Sequence, residues 1–321
     1  MYASDPAALT RGVPSPIPER RARTSDDPFV RSIGGTPLVP LHRLAPPSVL
    51  GFELWGKAEF CNPTGSVKDR AALGIVRAAL AEGLLGPGRV LIDASSGNTA
   101  VAYAMLGARL GFPVEVYLPR NVSPDRLRRL RAYGTQVVFT DPAEGTDGAQ
   151  SAAREKAAGD PARYFYADQY NNPANPAAHY TTTGPELWRQ TQGRISHLVA
   201  GVGTGGTISG TGRYLKERSA SIRVVGVEPS SPIHGLEGLK HLPTAVRPST
   251  YDESVLDETQ RVETEEAVAM TERLGTEEGL AVGPSSGAAV VAALRVGVDG
   301  PGAFVVVILP DGGRGDTEER G

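Results

Sequence analysis

The sequence predicts an α/β protein with two doubly wound, mostly parallel sheets. Short apolar runs alternate along the chain with helical segments of about 10–15 residues, a pattern typical of βαβ units. The alternation comes as two series, at 52–158 and 185–309, so two sheets are expected. Glycine is abundant, with 39 residues, and clusters directly after apolar runs, where a strand must turn sharply into a helix.

The first series starts with an apolar strand at 52–57 and a helix at 69–82. Apolar residues of this helix recur at helical spacing, namely at Ala72, Ile75, Val76 and Ala79. The remaining elements are predicted as strands at 90–92, 114–118 and 136–139, each followed by a helix, at 98–110, 124–133 and 148–158. Pro124 stands where proline is favoured, in the first turn of its helix.

The second series has the same design. Its predicted strands lie at 197–201, 223–227 and 304–309, and its predicted helices at 185–190, 207–218, 265–274 and 287–294. In parallel sheets of this kind, ligands bind beyond the carboxyl ends of the strands, where the chain enters the helices. Candidate functional residues are therefore sought in those turns.

Composition excludes several classes of function. The 321 residues are 40% hydrophobic and 21% charged, as in ordinary globular proteins. The net charge of −3 creates no strong field, so neither nucleic acid nor a membrane is expected as a partner. No apolar run reaches the ~18 residues of a membrane-spanning helix. The five histidines show no metal-ligand spacing, and no metal site is expected.

The N-terminal residues and the single cysteine bear on the cellular compartment. Residues 1–28 are rich in proline, arginine and serine and lack the apolar segment of a signal peptide, so we expect a disordered tail. One cysteine, Cys61, excludes an internal disulfide framework and fits a reducing compartment. We therefore predict a cytoplasmic protein, in which Cys61 is a small buried hydrophobe rather than a nucleophile.

A turn-rich stretch, Asn62-Pro63-Thr64-Gly65-Ser66-Val67-Lys68-Asp69-Arg70, brings a lysine to a helix start. The positive end of the helix dipole disfavours the ammonium form there, and burial acts in the same direction. A lysine that loses its proton near neutral pH can form a Schiff base. An isolated lysine at a helix end is more often simply solvated, so the motif alone does not decide its role.

Two serine-containing turns also precede predicted helices. The turn Ala94-Ser95-Ser96-Gly97-Asn98-Thr99 offers hydroxyl, amide and backbone donors that suit a carboxylate or phosphate. The second is Gly283-Pro284-Ser285-Ser286-Gly287. For each turn taken alone, plain N-capping of the helix is the more common explanation.

The glycine-rich loop Gly201-Val202-Gly203-Thr204-Gly205-Gly206-Thr207 follows a strand and opens a helix. Its backbone N–H groups can cradle a phosphate, to which the threonine hydroxyls can add donors. No lysine closes the pattern, so it is not a P-loop. It does satisfy G-x-G-x-x-G, and Glu228 ends the next strand, so a dinucleotide-dependent oxidoreductase is an alternative. A glycine turn without any ligand is the remaining explanation.

Taken in this order, the motifs resemble the cysteine synthase family, the β-replacement branch of pyridoxal-phosphate enzymes with the tryptophan-synthase-β-like fold. The resemblance runs from Ile33 to Asp311, and from Gln169 to Gly212 it is most similar to B-type cysteine synthases, also called O-acetylserine sulfhydrylases. Besides the turns above, it rests on Ile33-Gly34-Gly35-Thr36-Pro37-Leu38-Val39, Gln169-Tyr170-Asn171-Asn172-Pro173-Ala174-Asn175 and the stretch from His179-Tyr180 to Thr183-Gly184-Pro185-Glu186.

The resemblance implies a role for each matching residue. Lys68 would carry pyridoxal 5'-phosphate as a Schiff base and later move the substrate's α-proton. Asn98 would bind the ring oxygen of the cofactor, and Ser285 would face its pyridine nitrogen. The phosphate would be held by Gly203, Thr204, Gly205, Gly206 and Thr207, and the substrate carboxylate by Ser95, Ser96, Thr99 and Gln169.

The same resemblance implies a reaction, partners and a domain division. Ser285 is a neutral partner for the pyridine nitrogen, which favours prompt loss of a β-leaving group over transamination. We expect L-cysteine to be made from O-acetyl-L-serine, or O-phospho-L-serine, and sulfide or another sulfur donor. The enzyme is expected to be a homodimer. The N-terminal α/β domain is predicted at 62–172 and the cofactor-phosphate domain at 29–61 plus 173–321.

The sequence also departs from the family. After Asp311-Gly312-Gly313-Arg314 the family often continues with an aromatic residue, a leucine and Ser-Thr, whereas Gly315-Asp316-Thr317 follows here, so closure of the site and the dimer contacts are expected to differ. In the 233–241 loop, Lys240 and His241, with Arg247 beyond it, favour a phosphate leaving group unless these cations are solvated, which is the commoner case.

Several activities remain open within and outside the fold. Cystathionine β-synthase and diaminopropionate-forming enzymes would use other nucleophiles, and a serine or threonine dehydratase would use none. A nicotinamide-dependent oxidoreductase and a catalytically inactive family member that acts as a binding protein are the alternatives from other classes.

Overall fold

A computed structural model describes residues 27–298 and 300–313 of the chain. Nearly all of the predicted tail at 1–28 and the atypical C-terminal stretch from Arg314 onward lie outside these residues. The described residues begin at the end of this predicted tail, with a short helix, α1 (Pro28–Arg31). The Asp27 side chain caps it, accepting hydrogen bonds from the N–H groups of Phe29 and Val30.

The described residues form ten strands and eleven α-helices. The strands are β1 (Leu38–Pro40), β2 (Glu53–Ala58), β3 (Val90–Ala94), β4 (Val114–Pro119), β5 (Gln136–Thr140), β6 (Tyr164–Tyr166), β7 (His197–Gly201), β8 (Arg223–Pro229), β9 (Glu258–Val262) and β10 (Phe304–Leu309). The helices after α1 are α2 (Pro47–Leu50), α3 (Lys68–Ala81), α4 (Asn98–Leu110), α5 (Pro124–Ala132), α6 (Gly145–Gly159), α7 (Ala174–Thr181), α8 (Thr183–Gln190), α9 (Gly206–Arg218), α10 (Thr264–Glu278) and α11 (Pro284–Val298).

The strands form two sheets, as the two series predict. The smaller sheet has the order β5-β4-β3-β6 and is parallel throughout. The larger sheet has the order β1-β2-β10-β7-β8-β9, in which only the edge pair β1–β2 is antiparallel. In the smaller sheet, β4 and β6 lie on opposite sides of β3, and in the larger sheet, β8 and β10 lie on opposite sides of β7. A sheet that extends in both directions from an inner strand is doubly wound.

Burial explains why these segments become strands and helices. Strand β10 has the sequence Phe-Val-Val-Val-Ile-Leu, and all six residues are buried, as expected for a central strand covered by helices on both faces. Helix α4 is rich in small residues and lies packed in the core of the smaller sheet. One close contact in that core requires glycine, because a Cβ on Gly107 would lie 2.4 Å from the Val114 side chain.

The topology brings the carboxyl ends of several strands to one pocket. The loops after β3, β7 and β10 all contribute residues to it, and so does the loop that follows β2 and leads into α3. Parallel sheets with helices on both faces place their ligands at this edge. Among the described helices, none has the length and apolar character needed to cross a membrane.

Candidate active site

The pocket lies between the two sheets and contains nearly every residue that the sequence analysis proposed. Eleven of the twelve proposed site residues line it: Lys68, Ser95, Ser96, Asn98, Thr99, Gln169, Gly203, Thr204, Gly205, Thr207 and Ser285. The twelfth, Gly206, is buried directly behind the loop and begins α9. Residues far apart in sequence thus meet in one place.

Lys68 is the first residue of α3 and reaches the pocket from a loop that is tied to the end of β10. The N–H of Val67 donates to the carbonyl of Pro310 at 2.7 Å, and Gly312 donates to the carbonyl of Gly65 at 3.2 Å. The hydroxyl of Ser66 accepts the Lys68 N–H at 3.2 Å. These bonds fix where the lysine side chain leaves the backbone.

Burial lowers the pKa of the Lys68 amine, which is the direction a Schiff-base lysine requires. The carboxylate of Asp311 acts against this shift, since a nearby negative charge favours the ammonium form. Burial is thus the main cause of the lowered pKa at this helix start. The side chain is only half-buried overall because it faces the open pocket.

The loop in front of Lys68 is braced from both sides. Thr64 donates its N–H to Oδ2 of Asp69 at 2.7 Å and its hydroxyl to Oδ1 of the same carboxylate. Arg129 of α5 donates from Nη2 to the Thr64 carbonyl at 2.8 Å. Burial raises the pKa of Asp69 to about 6 in spite of these bonds. The lysine therefore sits on a rigid support.

The serine-rich loop does not cap α4 with a side chain. Helix α4 is capped by Gly97, and the Ser95 hydroxyl accepts the Gly97 N–H at 3.2 Å. The Asn98 side chain points elsewhere, because its Nδ2 donates to Oδ2 of Asp311 at 2.8 Å. Simple N-capping by Asn98 is therefore wrong, and polar groups of the loop remain directed at the pocket.

Gln169 closes the wall beside this loop. Its Oε1 accepts a hydrogen bond of 2.7 Å from the hydroxyl of Thr99, and its Nε2 donates to the carbonyl of Ala94 at 3.3 Å. Behind it, the buried carboxyl of Asp93 accepts the backbone N–H groups of Gln169 and Ala94. Burial raises the pKa of Asp93 to about 7. The predicted carboxylate-binding residues thus form one connected surface.

The glycines of the Gly201–Thr207 loop lie so close to neighbouring atoms that a side chain would not fit at these positions. A Cβ on Gly203 would lie 2.0 Å from the carbonyl oxygen of Gly238, and one on Gly206 would lie 2.1 Å from Oδ1 of Asn175. Gly205 has a φ of +81°, a conformation that favours glycine. The loop leads into the N-terminus of α9, whose first N–H groups have no partner inside the helix. Such a site binds phosphate.

Asp311 is a pocket residue that the sequence analysis did not single out. It accepts hydrogen bonds from Asn98 at 2.8 Å and from the hydroxyl of Ser285 at 3.3 Å, and burial raises its pKa. Ser285 thus turns to Asp311, so an N-cap does not account for its side chain. Its position could have identified it, because Asp311 lies just beyond the carboxyl end of β10, where ligands bind in parallel sheets.

Further charged residues at the pocket were also missed. Arg126 of α5 forms an ion pair with Glu237, and both line the pocket. Lys240, which was proposed from the sequence, also lines the pocket, with Nζ 4.8 Å from the centre of the Tyr170 ring, so a fully solvated Lys240 is excluded. Arg247 instead is exposed and pairs with Glu253.

His241 was considered as a ligand for a phosphate leaving group. The His241 ring forms a hydrogen bond of 2.8 Å with the hydroxyl of Thr244, and the residue does not line the pocket.

For Cys61 the prediction of a buried side chain is wrong, since this residue is exposed. It ends a short 3-10 helix, Glu59–Cys61, in which the buried position belongs to Glu59, held by Arg70.

The residues present fit pyridoxal phosphate. A lysine of lowered pKa, a backbone cradle whose glycines leave no room for a Cβ and a polar wall suited to an amino acid's carboxylate share one pocket. The lysine can bind an aldehyde, and the cradle can bind a phosphate dianion. The dinucleotide alternative leaves the lysine and the serine-rich loop without a role.

Comparison with known proteins agrees with this fit. Residues 30–311 match the family described as pyridoxal-phosphate dependent enzymes. A cysteine synthase of Aquifex aeolicus is 47% identical over 301 residues, which cover 92% of this chain and 91% of that protein. Cysteine synthase B of Salmonella typhimurium is 43% identical over 286 residues, covering 89% of this chain and 92% of that protein.

Solved structures give the same result. The cysteine synthase of Entamoeba histolytica superimposes with a TM-score of 0.85 at 33% identity, covering 92% of this chain and 90% of that one. An O-ureido-L-serine synthase gives a TM-score of 0.83 at 36% identity, covering 89% and 91%. The predicted family, fold class and cofactor are confirmed. The chain belongs to the pyridoxal-phosphate dependent enzymes and, among them, to the cysteine synthase family.

Proposed function

We propose that this enzyme replaces the acetoxy group of O-acetyl-L-serine with sulfide or another sulfur donor, giving L-cysteine and acetate. The observation that carries the proposal is the shared pocket, in which the Lys68 amine, the glycine loop and the serine-rich loop meet. Relatives of 43% and 47% identity over about nine-tenths of the chain are cysteine synthases, which supports the same reaction.

The roles of the individual residues follow from their positions. Lys68 would hold pyridoxal phosphate through its amine, with the phosphate in the Gly203–Thr207 loop. Asn98 would bind the ring oxygen, and Ser285 would lie at the pyridine nitrogen. When bound, the cofactor supplies an electron sink for the bond pair left at the substrate's α-carbon.

Side chains of the protein would bind the substrate and transfer its α-proton. The hydroxyls and amides of the serine-rich loop and Gln169 would bind the substrate carboxylate and so orient its α-carbon. The Lys68 amine would take the α-proton of the bound substrate, because its lowered pKa keeps it unprotonated in more of the molecules.

An absorption spectrum of the purified enzyme tests the cofactor and the reaction. We expect a yellow protein whose visible band changes on adding O-acetyl-L-serine and returns on adding sulfide. The Lys68→Ala variant should lose the lysine-linked band and essentially all turnover. A Lys68→Ala variant with normal activity would refute the proposal. A colourless protein that cannot be reconstituted with pyridoxal phosphate would refute it as well.

A panel of nucleophiles separates this reaction from its relatives. Sulfide, thiosulfate, homocysteine and ammonia distinguish cysteine synthesis from cystathionine or diaminopropionate formation, and pyruvate released without a nucleophile would indicate a dehydratase. A yellow protein that responds to neither O-acetylserine nor O-phosphoserine would indicate an inactive member that acts by binding.

A phosphate leaving group is a second candidate, favoured by Lys240 in the pocket wall. Its ammonium group can bind a phosphate ester more strongly than an acetate ester. The test is the ratio of kcat/KM for O-phospho-L-serine to that for O-acetyl-L-serine. If Lys240 binds the phosphate, Lys240→Ala lowers this ratio, while Arg247→Ala leaves it unchanged.

We also propose a cytoplasmic homodimer with the domain division at 62–172 and at 29–61 plus 173–321. The division is supported by strand membership, since β3 to β6 form one sheet and β1, β2 and β7 to β10 form the other. The dimer is supported by the family resemblance. Light scattering during size-exclusion chromatography tests it, because the monomer mass is 33.7 kDa.

A further inference from the structure

Helix α7 packs directly behind the glycine loop and presents two polar side chains to it. Asn175 and His179 are four residues apart, so they lie on the same face of the helix. Both are buried, with 1% of their surface exposed. The contact with α9 is close, since a Cβ on Gly210 would lie 2.0 Å from the carbonyl oxygen of Pro176.

Asn175 sets the direction of one hydrogen bond behind the loop. Its Nδ2 lies 2.9 Å from the carbonyl oxygen of Gln169 and 3.1 Å from Oγ1 of Thr204. A carbonyl oxygen only accepts, so the amide nitrogen, with its two N–H groups, must face both partners. The Thr204 oxygen therefore accepts from Asn175, and the Thr204 hydroxyl proton is left for another acceptor.

His179 bridges two threonine hydroxyls in the same way. Its Nδ1 lies 2.9 Å from Oγ1 of Thr183, and its Nε2 lies 3.2 Å from Oγ1 of Thr207. Burial, together with the positive charge of Arg70, lowers the pKa of the ring to about 3. The imidazole is therefore neutral at physiological pH, with one nitrogen that donates and one that accepts.

Thr183 decides which ring nitrogen carries the proton. This threonine is fully buried, and Nδ1 of His179 is the one side-chain or backbone partner that its hydroxyl has among the described residues. If Nδ1 carried the proton, the Thr183 O–H would have no acceptor, an arrangement that costs about 1–3 kcal/mol. The Thr183 hydroxyl therefore donates to Nδ1, and the proton is on Nε2.

We propose that α7 fixes the hydroxyls of Thr204 and Thr207 as hydrogen-bond donors into the pocket, with His179 as the positioning residue for Thr207. Because Nε2–H donates to the Thr207 oxygen, the Thr207 proton turns away from the ring, to the pocket side. A phosphate dianion has only acceptor oxygens, so this orientation is the one that suits it.

This inference rests on the proposed role of the glycine loop in binding the cofactor phosphate. The opposite tautomer would take the Thr207 proton onto the ring and present an oxygen lone pair to the phosphate, which repels it. A neutral histidine and an asparagine thus orient the two threonine hydroxyls without placing a further charge in the core.

The first test is the protonation state of the ring in the intact holoenzyme. In two-dimensional ¹⁵N NMR spectra of the histidine rings, His179 should appear as the neutral tautomer with the proton on Nε2, and its signals are assigned by their loss in His179→Gln. A proton on Nδ1, or a charged ring at pH 7, overturns the proposal. The tautomer itself is read from the wild-type holoenzyme, and the variant serves only to assign the signals.

The second test compares two aldehydes on the cofactor-free protein. His179→Ala should bind pyridoxal phosphate roughly tenfold more weakly than the wild type, as expected for one misdirected hydrogen bond, with pyridoxal, which lacks the phosphate, bound equally by both. His179→Gln, whose amide can donate from a similar position, should recover most of the affinity. The matched control is His197→Gln, at the far end of β7, with no effect on either aldehyde.

Each outcome of this comparison bears on the proposal. If His179→Ala weakens pyridoxal and pyridoxal phosphate equally, His179 supports the fold rather than the phosphate contact, and the proposal is wrong. If the affinities are unchanged, it is wrong too. Failure of the proposed function looks different, because the wild-type protein itself would then not bind pyridoxal phosphate.

Discussion

The Asn98 side chain donates a hydrogen bond of 2.8 Å to the carboxylate of Asp311, and this bond joins the two sheets across the pocket. Asn98 begins the helix after β3, in the smaller sheet, and Asp311 follows β10, in the larger sheet. The same carboxylate opposes the lowering of the Lys68 pKa by burial, and it accepts a hydrogen bond from Ser285. One aspartate thus contacts or influences three proposed cofactor ligands.

Asp311→Asn should lower the pKa of Lys68 further, since removal of a negative charge disfavours the ammonium form. The pH dependence of Schiff-base formation with pyridoxal phosphate in the cofactor-free protein measures this. Its midpoint should move to lower pH in the variant. A midpoint that stays in place or rises contradicts the assigned influence of Asp311 on the lysine.

Gly203→Ala should weaken cofactor binding by tenfold or more, because the added Cβ would lie 2.0 Å from the Gly238 carbonyl oxygen and the loop must move. The affinity of the cofactor-free protein for pyridoxal phosphate, followed by its absorbance, gives the result. Gly275→Ala is the matched control. It lies inside α10 with open space around it, and should leave binding unchanged while stabilising the fold by about 0.5–1 kcal/mol.

Arg70→Met should destabilise the fold by about 3–5 kcal/mol, since it leaves the buried carboxylates of Glu59 and Glu186 without their shared partner. Urea unfolding of the cofactor-free protein measures the loss. Arg213→Met breaks an exposed pair with Glu217 and should change the free energy of unfolding by less than about 0.5 kcal/mol. Equal losses in the free energy of unfolding for the two substitutions would show that the buried ion pairs of Arg70 contribute no more than an exposed pair.

Asp93→Asn should change how stability depends on pH. Burial raises the pKa of Asp93 from 3.8 to about 7, so the folded state holds its proton more tightly and loses stability as the pH rises from about 4 to 7. Asparagine resembles the protonated form and lacks this loss. Relative to the wild type, the variant should therefore gain on the order of 2 kcal/mol in free energy of unfolding between pH 5 and pH 8. A pH-independent difference would contradict the raised pKa.

The strands and the pocket could be predicted to different degrees. Continuous apolar runs such as β10 identify central strands, and the turns that open helices locate Lys68, Asn98 and Ser285. The edge strands β1, β6 and β9 are not predicted, because they are short or alternate polar with buried residues, and pairing with a neighbour decides them. Helix α7 is missed for a related reason, since tertiary contacts rather than helical periodicity define it.

The residues missed in the site share one property. Asp311, Arg126 and Glu237 act through neighbours that lie far away in sequence, so no local motif identifies them. Cys61 shows the converse error, because it was expected to be a small buried hydrophobe, and the 3-10 turn instead directs it outward. Composition predicts which residues are inside on average, and backbone direction decides the individual case.

The pairing of β2 with β10 has a consequence for how the protein is made. Leu54 lies opposite Val305 in the larger sheet, so β2 cannot pair with β10 until all of the chain between these two strands has left the ribosome. The smaller sheet has no such wait, since β3 to β6 are neighbours in sequence and can assemble early. During synthesis β2 can therefore pair only with β1, and the Lys68 loop, anchored on the residues after β10, takes its final shape only after those residues have been made.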